Sequence, residues 1–309
     1  MRTLRFLFSA ACLALALGFI GLGFICVANP HRPLLYLIDI FTLPIWAAAI
    51  GFTVFFAVVR EVRAAVASVL GVALLTFALA PQVFPKQAPA ADDAKPIRMV
   101  WGNMLVANPQ PDKILPWLVD KQADVVAMVE VNPQTRSSLI AALKDTYPHM
   151  AVRYDMLIAS KYPIEHSQPR PAGFDLLTVT IDTPKGPLNL AITHLTRPWP
   201  FVPAADQPRQ FARLADALTP LPGSHFVLAG DFNTTPGAAQ LHAFAEKLNL
   251  HPAAGLSGTW RDDLPALMRI GIDNVLAGQD LNLSHREVGP DDGSDHRPVY
   301  VEIRMAKMN

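Results

Sequence analysis

The chain has 309 residues, 51% of them hydrophobic, and 26 Lys and Arg balance 26 Asp and Glu. These averages conceal two parts, because residues 97–309 hold 19 basic and 22 acidic side chains, a formal net charge of −3. That balance argues against the basic surface of a nonspecific nucleic-acid binder, although a bound metal ion would add local positive charge. Cys12 and Cys26 both precede this part, which excludes thiol catalysis and cysteine-ligated zinc from it.

The first third of the chain contains three apolar runs, over residues 6–28, 34–59 and 64–83. Each is long enough to cross a bilayer. The first run alone is also compatible with a cleaved signal peptide, but the other two would still anchor the chain. We therefore predict a membrane anchor of three transmembrane helices over residues 1–84, followed by a linker over 85–96. Asp39 interrupts the second run, and we expect it at the membrane interface near Arg32.

Positive charge in the short connections predicts the orientation of this anchor. Arg2 and Arg5 precede the first run, and Arg60 and Arg63 separate the second from the third. Lys and Arg accumulate in cytoplasmic connections, so both pairs are expected on the cytoplasmic side. We accordingly predict a multi-pass protein of the cell inner membrane whose residues 97–309 lie outside the cytoplasm.

Residues 97–309 alternate strand-like and helix-like segments, which favours a single α/β domain with a packed sheet core. The predicted strands cover residues 98–101, 125–129, 156–159, 176–181, 188–193, 225–229, 274–277 and 299–303. The predicted helices cover residues 111–121, 134–143, 207–218 and 237–248.

Polar side chains stand at the ends of these predicted strands, where loops gather and sites are commonly built. Taken singly, each has an ordinary structural explanation: a carboxylate that closes a strand usually shapes a turn or caps a helix, and a lone histidine is more often structural than catalytic. The recurrence of such residues in one order is the stronger signal. They are Asn103, Glu130, His194, Asp231, Asn233, Asp273, Ser294, Asp295 and His296.

In this order the residues resemble the endonuclease/exonuclease/phosphatase superfamily, over residues 97–303. The apolar runs ahead of them are similar to a bacterial membrane-anchored subgroup. The strings GDFN and SDHRPV are the most specific parts of the match, and Asn108 resembles the second asparagine of the opening motif. The matching segments are Asn103, Val129-Glu130, Thr193-His194-Leu195, Gly230-Asp231-Phe232-Asn233, Ile272-Asp273-Asn274-Val275 and Ser294-Asp295-His296-Arg297-Pro298-Val299.

The resemblance implies an α/β fold in which a two-layer β-sandwich is flanked by helices, with the site at one end of the sheets. It also implies Mg²⁺ or Mn²⁺ as cofactor, since carboxylate oxygens suit hard cations. Glu130 would be the principal metal ligand, assisted by Asn103 and Asp295.

The same resemblance assigns catalytic roles to five residues. His296 would be the general base, oriented by Asp273. Asp231 would position the nucleophile or protonate the leaving oxygen. Asn233 and His194 would bind the phosphoryl oxygens. These roles agree with the chemistry of the side chains, because a histidine near its usual pKa accepts protons at neutral pH and an amide can donate to an oxyanion.

Four positions leave alternatives open. Many members of the superfamily carry Gln where this chain has Val129, so any contact made by that glutamine is in doubt. Arg197 could hold phosphate or be a surface residue, whereas Arg209 is expected to be a surface residue. Trp260 could line the site, but core packing is the favoured interpretation.

We therefore predict a membrane-tethered hydrolase that attacks a phosphate ester with metal-activated water. Its substrate is either nucleic acid or a lipid or small phosphodiester, and no protein partner can be inferred. The alternative is a catalytically silent membrane-anchored binding module of the same fold.

Overall fold

The structure is a computed structural model, and it describes residues 2–29, 35–91, 95–169, 175–198, 206–219 and 225–306. A bundle of apolar helices comes first, and two mixed six-stranded β-sheets follow it. The sheets pack face to face and carry helices on their outer faces, so the predicted two-layer sandwich is confirmed.

The N-terminal bundle contains fewer membrane-length helices than predicted. Its elements are α1 (Arg2–Ala28), α2 (Tyr36–Ile40), α3 (Thr42–Val58) and α4 (Val62–Val83). At about 1.5 Å per residue, α1 and α4 exceed the ~30 Å hydrocarbon core of a bilayer, whereas α3 falls short of it. Two helices, α1 and α4, are thus long and apolar enough to span a membrane. The structure therefore has two helices of membrane length where three were predicted, because the second run is divided at Phe41, where the backbone leaves the helical conformation.

Contacts between the bundle helices show how they run. Gly71 of α4 packs against Phe19 of α1, and four residues further along α1 Gly23 meets Leu74. The two long helices therefore run in the same direction. Between α3 and α4, Thr53 Oγ1 donates to Ser68 Oγ at 2.9 Å and Trp46 Nε1 donates to Thr76 Oγ1 at 2.8 Å, so α3 runs the opposite way.

The first sheet has the strand order β11-β12-β1-β2-β4-β3. Its central pair, β1 and β2, is parallel, and every other neighbouring pair in it is antiparallel. The strands are β1 (Ile97–Asn103), β2 (Val125–Val129), β3 (His149–Arg153), β4 (Met156–Ser160), β11 (Leu281–Val288) and β12 (Val299–Met305).

The second sheet repeats this arrangement in the order β5-β6-β7-β8-β10-β9, with β7 and β8 as its one parallel pair. The strands are β5 (Ile164–Pro169), β6 (Asp175–Thr183), β7 (Gly186–His194), β8 (Phe226–Asp231), β9 (Leu250–Pro252) and β10 (Asp273–Gly278). The inner faces of both sheets form one apolar core, which includes Trp101, Val129, Ile192 and Val275.

Helices cover the outer faces of the sandwich. They are α5 (Leu115–Asp120), α6 (Pro133–Leu143), α7 (Asp206–Leu218) and α8 (Ala239–Lys247), with 3₁₀ turns at Pro111–Ile114 and Ala266–Met268. Their apolar sides pack on the sheets, α5 and α6 on the first and α7 and α8 on the second. The four predicted helices are all present, and all eight predicted strands are found within one or two residues of their expected ends.

The helical bundle is packed against the sandwich through α2. Tyr36 and Ile40 share a buried apolar cluster with Ala239, Ile270 and Ile272 of the sandwich. Asp39 is 1% exposed, and its carboxylate lies beside the backbone N–H of Ala239 at the start of α8. A carboxylate is stabilised there by the helix dipole, although neither oxygen makes a hydrogen bond of good geometry. Asp39 is therefore turned into the protein, and the expected neighbour Arg32 lies outside the described residues.

The α1–α4 contact predicts a sharp sensitivity to side-chain size. A Cβ added at Gly71 would lie 2.9 Å from backbone and Cβ atoms of Phe19. Gly71→Leu should therefore push the helices apart and lower the melting temperature of the detergent-solubilised chain, at a cost of about 1–3 kcal/mol for overpacking. The matched control is Gly51→Leu, whose added Cβ would meet nothing within 4 Å. Equal melting temperatures for the two variants would contradict the proposed packing.

Candidate active site

The strand pairing brings the predicted polar residues to one end of the sandwich. In the first sheet Asn103 is paired with Val129, directly before Glu130. In the second, Asp231 is paired with His194 on one side and with Asp273 on the other. Parallel strands end together, and an antiparallel neighbour begins where they end. Residues far apart in sequence therefore converge.

Asp231 lies at the centre of this group. Its Oδ2 accepts a hydrogen bond from Asn103 Nδ2 at 3.1 Å. The same oxygen is 3.7 Å from His194 Nε2 and 3.8 Å from His296 Nε2. Burial and the nearby Asp273 carboxylate raise the pKa of Asp231 to about 6. A carboxyl group with such a pKa can exist in both protonation states near neutral pH, as an acid catalyst requires.

Glu130 lies near Asp231, on the side of the site that contains His194. Its Oε1 accepts from Asn103 Nδ2 at 2.8 Å and lies 3.6 Å from His194 Nε2, and its Oε2 accepts from the N–H of Val106 at 3.2 Å. The backbone at Glu130 has φ = 57°, a left-handed conformation that a non-glycine residue adopts at a cost. This turn directs the side chain away from the buried strand and into the site.

Asn103 presents its amide nitrogen to the two carboxylates, while its Oδ1 accepts from the N–H of Leu105 at 3.0 Å. Its expected role as a metal ligand would need the amide to turn over, because an amide binds cations through oxygen. That role therefore stays a prediction.

A second buried unit contains His296, Asp273 and Trp101. His296 Nδ1 lies 2.8 Å from Asp273 Oδ2, and Trp101 Nε1 donates to Asp273 Oδ1 at 3.2 Å. The carboxylate thus holds the proton of His296 on Nδ1, which leaves Nε2 facing Asp231 as the atom that can accept a proton.

His296 and Asp273 each stabilise the charged form of the other. Burial lowers the pKa of His296, but Asp273 and Asp231 outweigh it and raise the pKa to about 10. Burial likewise raises the pKa of Asp273, but the His296 imidazolium and hydrogen bonds from Thr259 and Trp101 hold it below its usual value. The predicted pairing of Asp273 with His296 is what the structure contains, although the catalytic roles remain predictions.

Asp295 lies on the His296 side of the site. Its Oδ1 is 3.9 Å from His296 Nε2, and its Oδ2 accepts from Trp260 Nε1 at 3.0 Å. Trp260 also packs against the apolar cluster around α2. It therefore both contacts the site and packs in the core, the two alternatives that the sequence left open. Arg209 is a surface residue as expected, paired with Asp206 at 3.1 Å.

Asn233 closes the GDFN turn with φ = 49°. Its backbone N–H donates to Asp231 Oδ1 at 2.9 Å, and its Nδ2 donates to the carbonyl of Leu195 at 2.8 Å. The amide is therefore anchored to the strand end that carries His194. Its expected contact with phosphate is untested.

Two groups among the described residues can hold a metal ion. The first is Glu130, His194 and Asp231, and the second is Asp231, Asp273 and His296. Because the Asp273–His296 pair already satisfies its own charges, we consider the first group the better cation site. Asp295, which was predicted to be a metal ligand, belongs to neither group. Asp231 and His194, which were predicted to contact the substrate, belong to the first group.

The family comparison agrees with this geometry. Residues 100–296 match the model of the Endonuclease/Exonuclease/phosphatase family. The chain belongs to this family. Because its members are phosphoric ester hydrolases, the prediction of a hydrolase acting on phosphoric esters is confirmed. The comparison with curated protein sequences found no match.

Solved structures of the family share the fold. A sphingomyelinase C from Streptomyces griseocarneus has 17% identity and a TM-score of 0.51, with 67% of this chain and 99% of that chain covered. A Staphylococcus aureus beta toxin variant with bound magnesium ions has 16% identity and a TM-score of 0.52, covering 69% and 100%. D. rerio TDP2 in complex with a single-stranded DNA product has 14% identity and a TM-score of 0.56, covering 68% and 100%.

Sequence reasoning missed Trp101 at this endonuclease/exonuclease/phosphatase site and gave Ser294 no role of its own. Trp101 was not singled out, although in a strand it shares a face with Asn103, two residues later. Ser294 Oγ donates to the carbonyl of Asn103 at 2.7 Å and accepts from the N–H of His296 at 3.1 Å, which ties the SDH segment to β1. Such contacts depend on distant segments and have no local signal.

The Asp273–His296 contact predicts a pH dependence. If His296 is the general base, only its neutral form accepts a proton, so kcat/KM rises as pH passes its pKa. Asp273→Asn removes the largest contribution that raises this pKa. We expect the acid limb of the pH–kcat/KM profile, measured on bis(p-nitrophenyl) phosphate with Mg²⁺, to move to lower pH, with a lower plateau because the ring is less well oriented. Asp263→Asn, at an exposed carboxylate paired with Arg261, is the control. An unmoved limb in Asp273→Asn would be evidence against His296 as the base.

Proposed function

We propose that the chain is a Mg²⁺- or Mn²⁺-dependent hydrolase that cleaves a phosphate ester with activated water while tethered to a membrane. The observation that carries this proposal is the position of Asp231. Its carboxylate lies between the Glu130–His194 group, which suits a cation, and His296, whose Nε2 faces it and accepts a proton when the ring is neutral.

The donors present fit a hard divalent cation. Glu130 would bind the cation, and Asp231 and His194, whose ligand atoms lie within 4.8 Å of its carboxylate, would face the phosphate that the cation holds. Carboxylate ligands of this kind suit Mg²⁺ and Mn²⁺. A bound cation would offset the negative charge of the phosphate and make water a better nucleophile at neutral pH.

The remaining residues divide the proton and charge transfers between them. His296 accepts the proton of the attacking water at Nε2, and Asp273 stabilises the resulting imidazolium. Asp231, with its raised pKa, donates a proton to the leaving oxygen. Asn233 and His194 bind the phosphoryl oxygens, where neutral donors add no repelling negative charge.

Exposed apolar side chains support the membrane tether. Phe6 and Phe77 have 71% and 69% of their surface exposed, and Val66 has 68%. A bundle with so much apolar surface is stable in lipid and is an aggregation hazard in water.

The bundle also favours one orientation. Ser9 Oγ donates to Glu61 Oε1 at 2.8 Å, so the start of α1 lies beside the α3–α4 turn. The basic pairs Arg2/Arg5 and Arg60/Arg63 flank this end, whereas α2 contacts the sandwich at the opposite end. From the positive-inside rule we infer that the hydrolase domain lies outside the cytoplasm and that the bundle anchors it to the inner membrane.

Removal of the principal predicted metal ligand tests the chemistry. Glu130→Gln should lower Mg²⁺-dependent kcat/KM on bis(p-nitrophenyl) phosphate by about a hundredfold or more, and EDTA should have the same effect on the wild type. Glu246→Gln, at an exposed helix position with a 72% exposed side chain, should keep the wild-type rate. Full activity in Glu130→Gln or in EDTA would sink the mechanism. Substrate binding without turnover in the wild type would favour the silent binding module.

Reporter fusions test the orientation. Alkaline phosphatase fused after Asn309 should be active, because it folds only outside the cytoplasm, and the same reporter fused after Arg60 should be inactive. The opposite pattern would place the hydrolase domain in the cytoplasm.

A further inference from the structure

One loop connects the bundle to the edge of the active site. Residues 261–269, here called the rim loop, leave and rejoin the sandwich between Trp260 and Ile270, whose backbones pair with each other. Both residues pack against the α2 cluster. The rim loop therefore starts and ends at the junction between the helical bundle and the sandwich.

The rim loop is also bound directly to the site. The N–H of Asp262 donates to the carbonyl of Asp295 at 3.0 Å. Trp260 Nε1 donates to the Asp295 carboxylate at 3.0 Å. Asp295 in turn lies beside His296, so the loop borders the side of the site that carries the predicted base.

Internal hydrogen bonds give the rim loop a defined shape. Arg269 Nε donates to the carbonyl of Leu264 at 2.8 Å, and its Nη2 donates to that of Asp262 at 2.9 Å. Nevertheless Leu264, Leu267 and Met268 are 38%, 55% and 46% exposed. A well-ordered loop that presents three large apolar side chains at one tip has the character of a contact surface.

The surroundings of this tip indicate what it contacts. Its 3₁₀ turn, Ala266–Met268, packs against the apolar helix α3, whose exposed aromatic side chains, Phe52 and Phe55, lie in the second half of the helix. The tip therefore adjoins the apolar bundle. Phe41, which directly precedes α3, packs on the α2 cluster. The first turn of α3 is therefore the end of the helix that lies nearest the hydrolase domain.

On the basis of the function proposed above, we propose that Leu264, Leu267 and Met268 enter the interfacial layer of the bilayer, and that the site beside them hydrolyses the phosphate ester of a lipid headgroup. The domain's formal net charge of −3 disfavours a long polyanion. A headgroup brings only one or two phosphates, which a bound cation offsets.

Fluorescence of a labelled tip tests the membrane contact separately from activity. The full-length Met268→Cys variant is labelled with the environment-sensitive dye NBD and reconstituted in vesicles. The two native cysteines, Cys12 and Cys26, are buried. Labelling of the unsubstituted chain measures any background signal from them. We expect blue-shifted emission that is quenched by nitroxide-bearing lipids. Val119→Cys, exposed on α5, should give neither effect. A label at 268 that behaves like the label at 119, or is blue-shifted without lipid quenching because a protein covers it, overturns the membrane contact.

Hydrolysis rates test the substrate class. In vesicles of phosphatidylethanolamine, phosphatidylglycerol and sphingomyelin with Mg²⁺, the Leu264→Ser/Leu267→Ser/Met268→Ser variant should lose at least about tenfold in headgroup release, since apolar burial drives interfacial binding. Its rate on bis(p-nitrophenyl) phosphate should stay within about twofold of the wild type, which also shows that it is folded. Val119→Ser/Val152→Ser, which removes exposed apolar side chains from α5 and β3, should change neither rate.

The outcomes separate this inference from the proposed function. Mg²⁺-dependent hydrolysis of bis(p-nitrophenyl) phosphate or an oligonucleotide, without headgroup release by the wild type, overturns the lipid substrate and leaves the hydrolase standing. Absence of hydrolysis of every probe overturns both. Unchanged headgroup release in the triple variant overturns the role of the rim loop alone.

Discussion

The burial of several carboxylates at one end of the sandwich is the constraint on which the site depends. Asp231 and Asp273 are almost fully inaccessible to water, and Glu130 is close by. Burial of such carboxylates costs free energy of folding unless an opposite charge or hydrogen-bond donors compensate their negative charge. His296 compensates Asp273, whereas Asn103 and the N–H of Asn233 only partly compensate Asp231. The raised pKa of Asp231 follows from this difference, and so does the suitability of the Glu130 side for a cation.

Strand topology creates that constraint. Each sheet is built around one parallel pair, β1 with β2 and β7 with β8, and both pairs end at the same end of the sandwich. The antiparallel neighbours β10 and β12 begin there, which brings Asp273 and His296 beside Asp231. The two-layered core thus holds six polar side chains, which six separate stretches of sequence contribute. Precise placement of this kind is what proton transfer and charge stabilisation require.

Side-chain contacts of Trp260 connect the helical bundle to the site. Trp260 packs on the cluster that holds α2, and its indole donates to Asp295. Asp39, the one acidic residue inside the second apolar run, belongs to α2, and its carboxylate lies between the start of α8 and Cys26 of α1. The bundle is therefore docked on the sandwich by specific contacts, at the end where the site opens. These contacts fix the position of the bundle relative to the site, which a flexible linker would not do.

The sequence by itself determined the α/β class, the eight central strands, the four helices on the sandwich and the identity of the polar residues at the strand ends. It could do so because buried central strands are continuous apolar runs that stop abruptly at a polar residue. The four strands it missed, β3, β5, β9 and β11, are the four sheet edges, where one side faces solvent and the apolar signal is diluted. Only the tertiary structure decided that Phe41 divides the second apolar run, that Trp101 and Trp260 support the site, and that Asp231 is its centre. Those features arise from contacts between segments up to about 230 residues apart, and the free energy of such contacts is not encoded in any local pattern.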